Sequence, residues 1–275
     1  GKMTNKGWEF RVDAVPFQNK DWRVGVYFNI AHNEKKITEM PDNYIEENYT
    51  FGNGNYAYRR EEGRPMGSFY GYRYKGVYQN KDTTYARDIE GNVMKDISGN
   101  AIVMRNGSYT VAPGDAIYED VNHDGVINQY DIVYLGNSNP RLTGGAGLNV
   151  SYKQFKLSAI FYGRYGQDVV NATRLNNESM RGIDNQSTAV LRRWRNEGDQ
   201  TDIPRALYGE GYNTLGSDRF VEDASYLRLK SLSFTYRLPK KAIQRWGFNN
   251  IDVYVTGYNL FTWTNYTGQD PEVKT

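Results

Sequence analysis

Apolar and polar residues alternate with a period of two along several stretches of this chain, and that pattern constrains its fold more than any other feature. From Gly7 to Pro16, Trp8, Phe10, Val12 and Ala14 share one face, and Glu9, Arg11 and Asp13 share the other. From Asp21 to Ala31 the apolar face is Trp22, Val24, Val26, Phe28 and Ile30, opposite Arg23, Gly25, Tyr27 and Asn29. Successive side chains of a strand point to opposite sides, so each stretch reads as a strand with one apolar face. The short polar link Gln18-Asn19-Lys20 joins them as a tight hairpin.

The pattern returns further on. Ala146, Leu148, Val150 and Tyr152 alternate with Gly145, Gly147, Asn149 and Ser151, and a second run follows through Leu157, Ala159, Phe161 and Gly163. A third pair covers Ala224 to Leu238 and Ile251 to Phe261. In its first strand Leu227 and Leu229 hold odd positions, whereas Leu232, Phe234, Tyr236 and Leu238 hold even ones. One extra residue near Lys230 or Ser231, a β-bulge, accounts for the slip. Ser68 to Tyr78 is a further candidate strand.

Long polar segments separate these hairpins: Glu34 to Pro65, Gln79 to Arg141 and Gly166 to Asp223. Each exceeds the roughly 12–15 residues at which unstructured loops in compact domains become uncommon. One carries a helix signal, with Ser187 as cap, Val190, Leu191 and Trp194 along a turn, and Gly198 as stop. The link Pro239 to Asn250 has room for a short helix through Ile243 and Trp246. Short turns at one end and long loops at the other suit a transmembrane β-barrel. They also suit a soluble β-sandwich or barrel with insertions, because alternation marks any half-buried sheet.

Composition narrows the choice without closing it. Mean hydropathy is −0.77, and no run approaches the roughly 20 apolar residues of a spanning helix. Barrel strands keep hydropathy low, since every second side chain faces water. With 34 Lys+Arg against 32 Asp+Glu, the net charge of +2 gives no electrostatic footprint for nucleic acid. The absence of Cys excludes disulfides and thiolate chemistry, and two His argue against a His-rich zinc site. The first residues lack the basic and apolar regions of a signal peptide. The expectation is a cytoplasmic protein or an internal piece of a longer one.

The sharpest local motif runs from Asp120 to Asp131 and fits a twelve-residue calcium loop. Asp120, Asn122, Asp124, Asn128 and Asp131 put side-chain oxygens at positions 1, 3, 5, 9 and 12. Gly125 takes the sharp turn at position 6, and Val126 offers its backbone carbonyl at position 7. Ile127 is expected to point into a core and anchor the loop. The final ligand is Asp rather than Glu, as in dockerin-type loops, and no long helix precedes Asp120. The expected ion is Ca²⁺ in a structural role; an Asx-rich turn without an ion is the alternative.

Nothing resembles an active site. There is no G-x-S-x-G or H-E-x-x-H, and the Gly-rich pieces Gly52 to Gly54 and Gly144 to Gly147 do not lead from strand into helix. Glu46-Glu47 and Glu61-Glu62 are adjacent, and neighbours on a strand face opposite ways. The basic run Arg192-Arg193-Trp194-Arg195 is followed at once by Glu197 and Asp199, so it reads as a solvent-facing loop helix. The expectation is a protein that is not an enzyme.

Six ordered blocks resemble SusC/RagA-type TonB-dependent outer-membrane transporters. They are Gly67-Ser-Phe-Tyr-Gly-Tyr72 with Gly76-Val-Tyr78; Gly114-Asp115 through Asp120 to Asp131; Gly136 with Asn139-Pro140 and Gly145-Ala-Gly-Leu-Asn149; Arg193-Trp194 with Asp202-Ile-Pro-Arg205; Asp218 to Lys230 with Leu238-Pro239; and Thr256-Gly-Tyr-Asn-Leu-Phe-Thr262 with Tyr266 to Glu272. The resemblance implies that residues 1–275 are the C-terminal part of an all-β, antiparallel transmembrane barrel of about 22 strands with long extracellular loops. It places the plug and early strands before this chain and a closing strand after it. It implies the outer membrane of a Gram-negative bacterium, energy from a TonB complex, a SusD-type surface lipoprotein as partner, and oligosaccharide or peptide cargo. The Trp8 and Trp22 faces would meet the lipid bilayer, with the Glu9, Arg11, Asp13 row toward the lumen. Two rivals are a soluble calcium-stabilised β-protein that binds carbohydrate and a secreted glycan-processing enzyme. A soluble sandwich would bury Trp22 to Ile30 under a second sheet.

Overall fold

The computed structural model describes residues 1–41, 49–51 and 56–272. The chain forms two compact units: one from residues 2–38, 138–168 and 223–275, the other from Gly1, 39–137 and 169–222.

The first unit is a wall of six strands: β1 (Lys2–Gln18), β2 (Trp22–Glu39), β3 (Leu142–Tyr152), β4 (Phe155–Tyr165), β5 (Tyr226–Arg237) and β6 (Asp252–Thr264). They lie side by side in sequence order. Apolar residues line up across the strands, as in the row Phe28, Ala146, Phe161, Leu229, Phe261. One step along, the opposite face carries Asn29, Gly145, Tyr162, Arg228 and Thr262 in register. Large side chains of the apolar face are exposed. Trp8 is 52% exposed, Trp22 40% and Phe28 45%. That separates a barrel wall from a sandwich.

The turns joining β1–β2, β3–β4 and β5–β6 share one end of the wall. In the first, Asn19 Oδ1 accepts from the backbone N–H groups of Asp21 and Trp22, at 2.9 and 2.8 Å. This Asx turn fixes the hairpin register. The turns also bond to each other: Lys153 N–H donates to Asp21 O, and Arg237 N–H to Gln154 O, both at 2.8 Å. The third link holds the short helix Lys240–Ile243 and a 3-10 turn, Gln244–Trp246, closed by Gly247 at φ +78°. At the other end the chain leaves the wall at Glu39 and Tyr165 and returns at Leu142 and Tyr226.

The expected bulge is present. Phe161 pairs with Leu229 and Ile160 with Ser231, so Lys230 is skipped. Two strand boundaries differ from the sequence reading. β2 continues eight residues past Ala31, to Glu39, through a stretch read as loop. Its polar residues fall on both faces there, so alternation fades although the strand goes on. Ser68 to Tyr78 is two strands, Ser68–Gly71 and Tyr74–Val77, rather than one.

The second unit gathers the long segments into a packed body instead of open loops. Tyr72, Tyr78, Met104, Ala116, Tyr118, Ile127 and Tyr212 form its main core. A four-stranded sheet runs in the order Val133–Asn137, Ser68–Gly71, Tyr56–Tyr58, Tyr49–Phe51. Asp115 is fully buried and accepts from Tyr109 Oη, Ala112 N–H, Arg205 and Asn213 Nδ2. Two five-residue pieces, Asp88-Ile-Glu-Gly-Asn92 and Asp96-Ile-Ser-Gly-Asn100, make the same turn twice, each Asp Oδ1 accepting from the Asn N–H at 2.9 Å. The helix expected after Ser187 is a 3-10 stretch, Thr188–Arg192, that stops before Trp194. Trp194 instead packs flat against Gly114, where a Cβ would lie 2.3 Å from its ring. The Glu46-Glu47 pair and the first glycines, Gly52 and Gly54, lie outside the described residues.

Candidate functional site

The Asp120–Asp131 loop has the frame of a cation loop. Gly125 turns at φ +81°, which few other residues adopt, and a Cβ there would sit 3.0 Å from Ala86 Cβ. Ile127 is fully buried, as the motif requires. Its N–H donates to Arg105 O at 2.7 Å and its carbonyl accepts from Asn106 Nδ2 at 2.7 Å, so the loop is tied to a neighbouring segment. Asp120 closes the first half by accepting from Asp124 N–H at 3.2 Å and Gly125 N–H at 2.8 Å. Asp131 closes the second half, with Oδ1 accepting from Val121 N–H and Oδ2 from Asn128 N–H, both at 2.8 Å.

The donor set is less complete than the frame. Asn122 turns its Nδ2 to Asp124 Oδ2 at 2.9 Å, and Asn128 turns its Nδ2 to the Val126 carbonyl at 3.1 Å. Among the described residues, no group of three or more Asp, Glu or His side chains is gathered to hold a metal ion. Burial raises the Asp131 carboxyl above its ordinary value, the two amides only partly offset this, and the charges of Asp120 and Asp124 push it up further. His123 stands at φ +56° with Nδ1 3.3 Å from Arg87 O, away from the ligand positions.

A second cluster lies on the polar face of the wall, and the sequence reading missed it. Arg228, 5% exposed, donates through Nη1 to Glu272 Oε2 at 2.6 Å, through Nη2 to Asp270, and through Nε to Thr262 Oγ1 at 2.9 Å. Lys230 Nζ donates to Glu272 Oε1 at 2.8 Å. Tyr226 and Tyr162 sit beneath these cations, with ring centroids 5.3 Å from the Arg228 guanidinium carbon and 5.9 Å from Lys230 Nζ. Gln167 Nε2 donates to the Pro271 carbonyl at 3.3 Å. The segment after β6 is therefore folded back on the polar face and held there by charge. The signal available in sequence was Arg228 on the polar side of an otherwise apolar strand.

No family model matches the chain. Among curated proteins it is 32% identical over 279 residues to the TonB-dependent receptor P3 of Formosa agariphila, covering 99% of this chain and 25% of that protein. It is 28% identical over 283 residues to the TonB-dependent receptor SusC of Bacteroides thetaiotaomicron, covering 100% and 24%. The chain thus spans about a quarter of the length of the curated relatives it matches. Among solved structures it matches a chain of the RagAB peptide transporter with a TM-score of 0.71 at 25% identity, over 98% of this chain and 27% of that one. The RagAB peptide importer in its closed-closed state gives the same TM-score. In sequence and in fold, the chain belongs with the SusC/RagA-type TonB-dependent receptors, as a stretch of their transmembrane β-barrel.

Proposed function

We propose that this chain supplies wall and loops to an importer that moves large nutrients, oligosaccharides or peptides, across the outer membrane of a Gram-negative bacterium. The observation that carries this is the match to the RagAB transporter over 98% of the chain, on a wall whose apolar face is bare and whose other face is polar. A TonB complex supplies energy, a SusD-like lipoprotein meets the loops, and the cargo undergoes no covalent change. The polar face offers tyrosines and cations, Tyr162, Tyr226, Arg164 and Lys230, as groups that a hydrated cargo would pass. The test is deletion of the encoding gene, with growth followed on single oligosaccharides and on peptides as sole carbon source. Loss of growth on one class, restored by the gene and abolished by loss of TonB, supports the reading. Unchanged growth on every class tested, with no co-purifying lipoprotein, overturns it.

The Asp120–Asp131 loop is proposed to take Ca²⁺ through Asp120, Asn122, Asp124, Asn128, Asp131 and the Val126 carbonyl. The support is the oxygen spacing, the Gly125 turn, the Ile127 anchor and the repulsion that Asp120 and Asp124 exert on the buried Asp131. Binding requires the Asn122 and Asn128 amides to turn their oxygens inward. The role is structural, since Ca²⁺ would relieve that repulsion and hold the loop shut.

A further inference from the structure

On the apolar face of the wall, two glycines stand directly opposite each other in adjacent strands: Gly144 of β3 pairs with Gly163 of β4. Neither tolerates a side chain. A Cβ on Gly144 would lie 2.6 Å from Asn29 O, and one on Gly163 would lie 2.8 Å from Tyr226 O. Their row continues through Ile30 on one side and Leu227 and Trp263 on the other. The glycines leave a notch of about 550 Å³, bounded along the strands by Phe28, Ala146 and Phe161. Trp263 leans over one flank, its ring stacked 6.5 Å from Phe161.

The notch interrupts the face that meets lipid, and it is continuous with that face. Its height is fixed by the strands. Ile30 stands eight residues beyond Trp22, and about 3.3 Å per residue at a tilt near 40° makes that about 20 Å. The apolar band of such a barrel is about 25 Å tall, so the notch opens into the leaflet on the side of the long loops. Among the described residues no side chain fills it, and an unfilled apolar notch in hydrocarbon loses dispersion contacts along its lining.

We propose that this notch is a lipid site: it holds one acyl chain of a lipid from the loop-side leaflet, retained by the barrel rather than exchanged with the surrounding lipid. The assignment rests on the wall standing in a bilayer. The glycine pair receives the chain, and the rings of Phe28, Phe161 and Trp263 bound it.

The test uses the chain in its closed barrel, reconstituted in phosphatidylethanolamine vesicles in which a small fraction of the lipid carries a diazirine near the end of one acyl chain. After illumination, labelled peptides are mapped by mass spectrometry. Labelling that saturates near one lipid per chain, on peptides containing Ile30, Ala146 and Leu227, supports the site. Even labelling along the outer rows overturns it while leaving the membrane wall intact. No labelling of any outer row overturns both. Ala146→Phe, which fills the notch, should lower retained lipid about tenfold, the affinity lost with about two methylene contacts. Val253→Phe, on an exposed apolar position near the short turns, should not. If the two variants retain lipid equally, the notch is not the site.

Discussion

Asp115 has no exposed surface, and its carboxylate accepts a 2.7 Å hydrogen bond from Arg205 Nε, ninety residues further along the chain. Asp115→Ala leaves the Arg205 guanidinium without its carboxylate and removes the acceptor for Tyr109, Ala112 and Asn213. Breaking a buried pair costs about 3–5 kcal/mol. Solvent reaches a third of Arg205, so the lower end, about 3 kcal/mol, is expected. Arg205→Lys keeps the charge, loses the fork and should cost about 1.5 kcal/mol. Hydrogen exchange should rise across residues 109–118 and 203–214 and stay unchanged in β3 and β4. Uniform protection in both variants would count against the pair as a clasp.

Calcium should stabilise the Asp120–Asp131 loop with weak affinity, on the order of 10⁻⁴–10⁻³ M, in the range of extracellular sites. At ten times the dissociation constant the gain is about 1.4 kcal/mol. Amide exchange at Gly125 and Ile127 should slow on adding Ca²⁺ and recover with a chelator. Asp124→Ala should remove the response. Equal exchange of wild type with Ca²⁺ and with chelator would leave only an Asx-rich turn.

The twin turns at Asp88 and Asp96 should loosen together in acid. Hydrogen bonds from the Asn92 and Asn100 amides hold both carboxyls below their ordinary value, against a smaller effect of desolvation. A depressed folded value means the contribution is present above the unfolded value and is lost as pH falls through the folded one. Amide exchange at Asn92 and Asn100, corrected for its intrinsic pH dependence, should therefore stay protected at pH 5 and lose protection below about pH 4. Asp88→Asn should flatten the first profile and leave the second unchanged. Protection that persists in acid would show that the side-chain acceptors contribute nothing.

Glu272→Gln should release the segment that follows β6. The change removes the charge that holds both Arg228 and Lys230, and leaves Asp270 as the carboxylate on Arg228, beside the Thr262 hydroxyl. Limited proteolysis within residues 265–272 should speed up several-fold, and added salt should narrow the gap between variant and wild type. Identical cleavage rates at low salt would mean that packing, not charge, holds the segment.

The wall was legible because its residues obey one rule: one face apolar, the other polar. Even the bulge at Lys230 showed as a change from Leu229 to Leu232 in the apolar phase. The rule failed where both faces meet polar surroundings, as from Glu34 to Glu39, where a strand continues without alternation. The long segments looked like loops because their core residues are scattered among polar ones without a regular period, and because contacts such as Tyr72 with Tyr118 lie in no local window. The Asp88 and Asp96 repeat was visible in the sequence and went unread. The calcium-type loop was readable in spacing and in its Gly125 and Ile127, but amide orientation at Asn122 and Asn128 is a matter of hydrogen bonding that spacing does not encode. The clasp of Arg228 on Asp270 and Glu272 joins residues more than forty positions apart, and nothing in either stretch names the other.

The skipped residue in β5 also sets where the wall can tolerate changes in chain length. Strand pairing normally makes a one-residue deletion ruinous, because every later side chain swaps faces. Between β4 and β5, Lys230 has no partner opposite it. Its loss would bring Leu229 and Leu232 into ordinary alternation, both still on the lipid side. A deletion at Ser233 would instead turn Phe234 and Tyr236 into the lumen. The bulge is thus a permissive joint on the β4 side, while toward β6 Asn259 and Leu260 lie between the partners of Leu229 and Ser231. A lineage could gain or lose a cation there without turning the wall inside out.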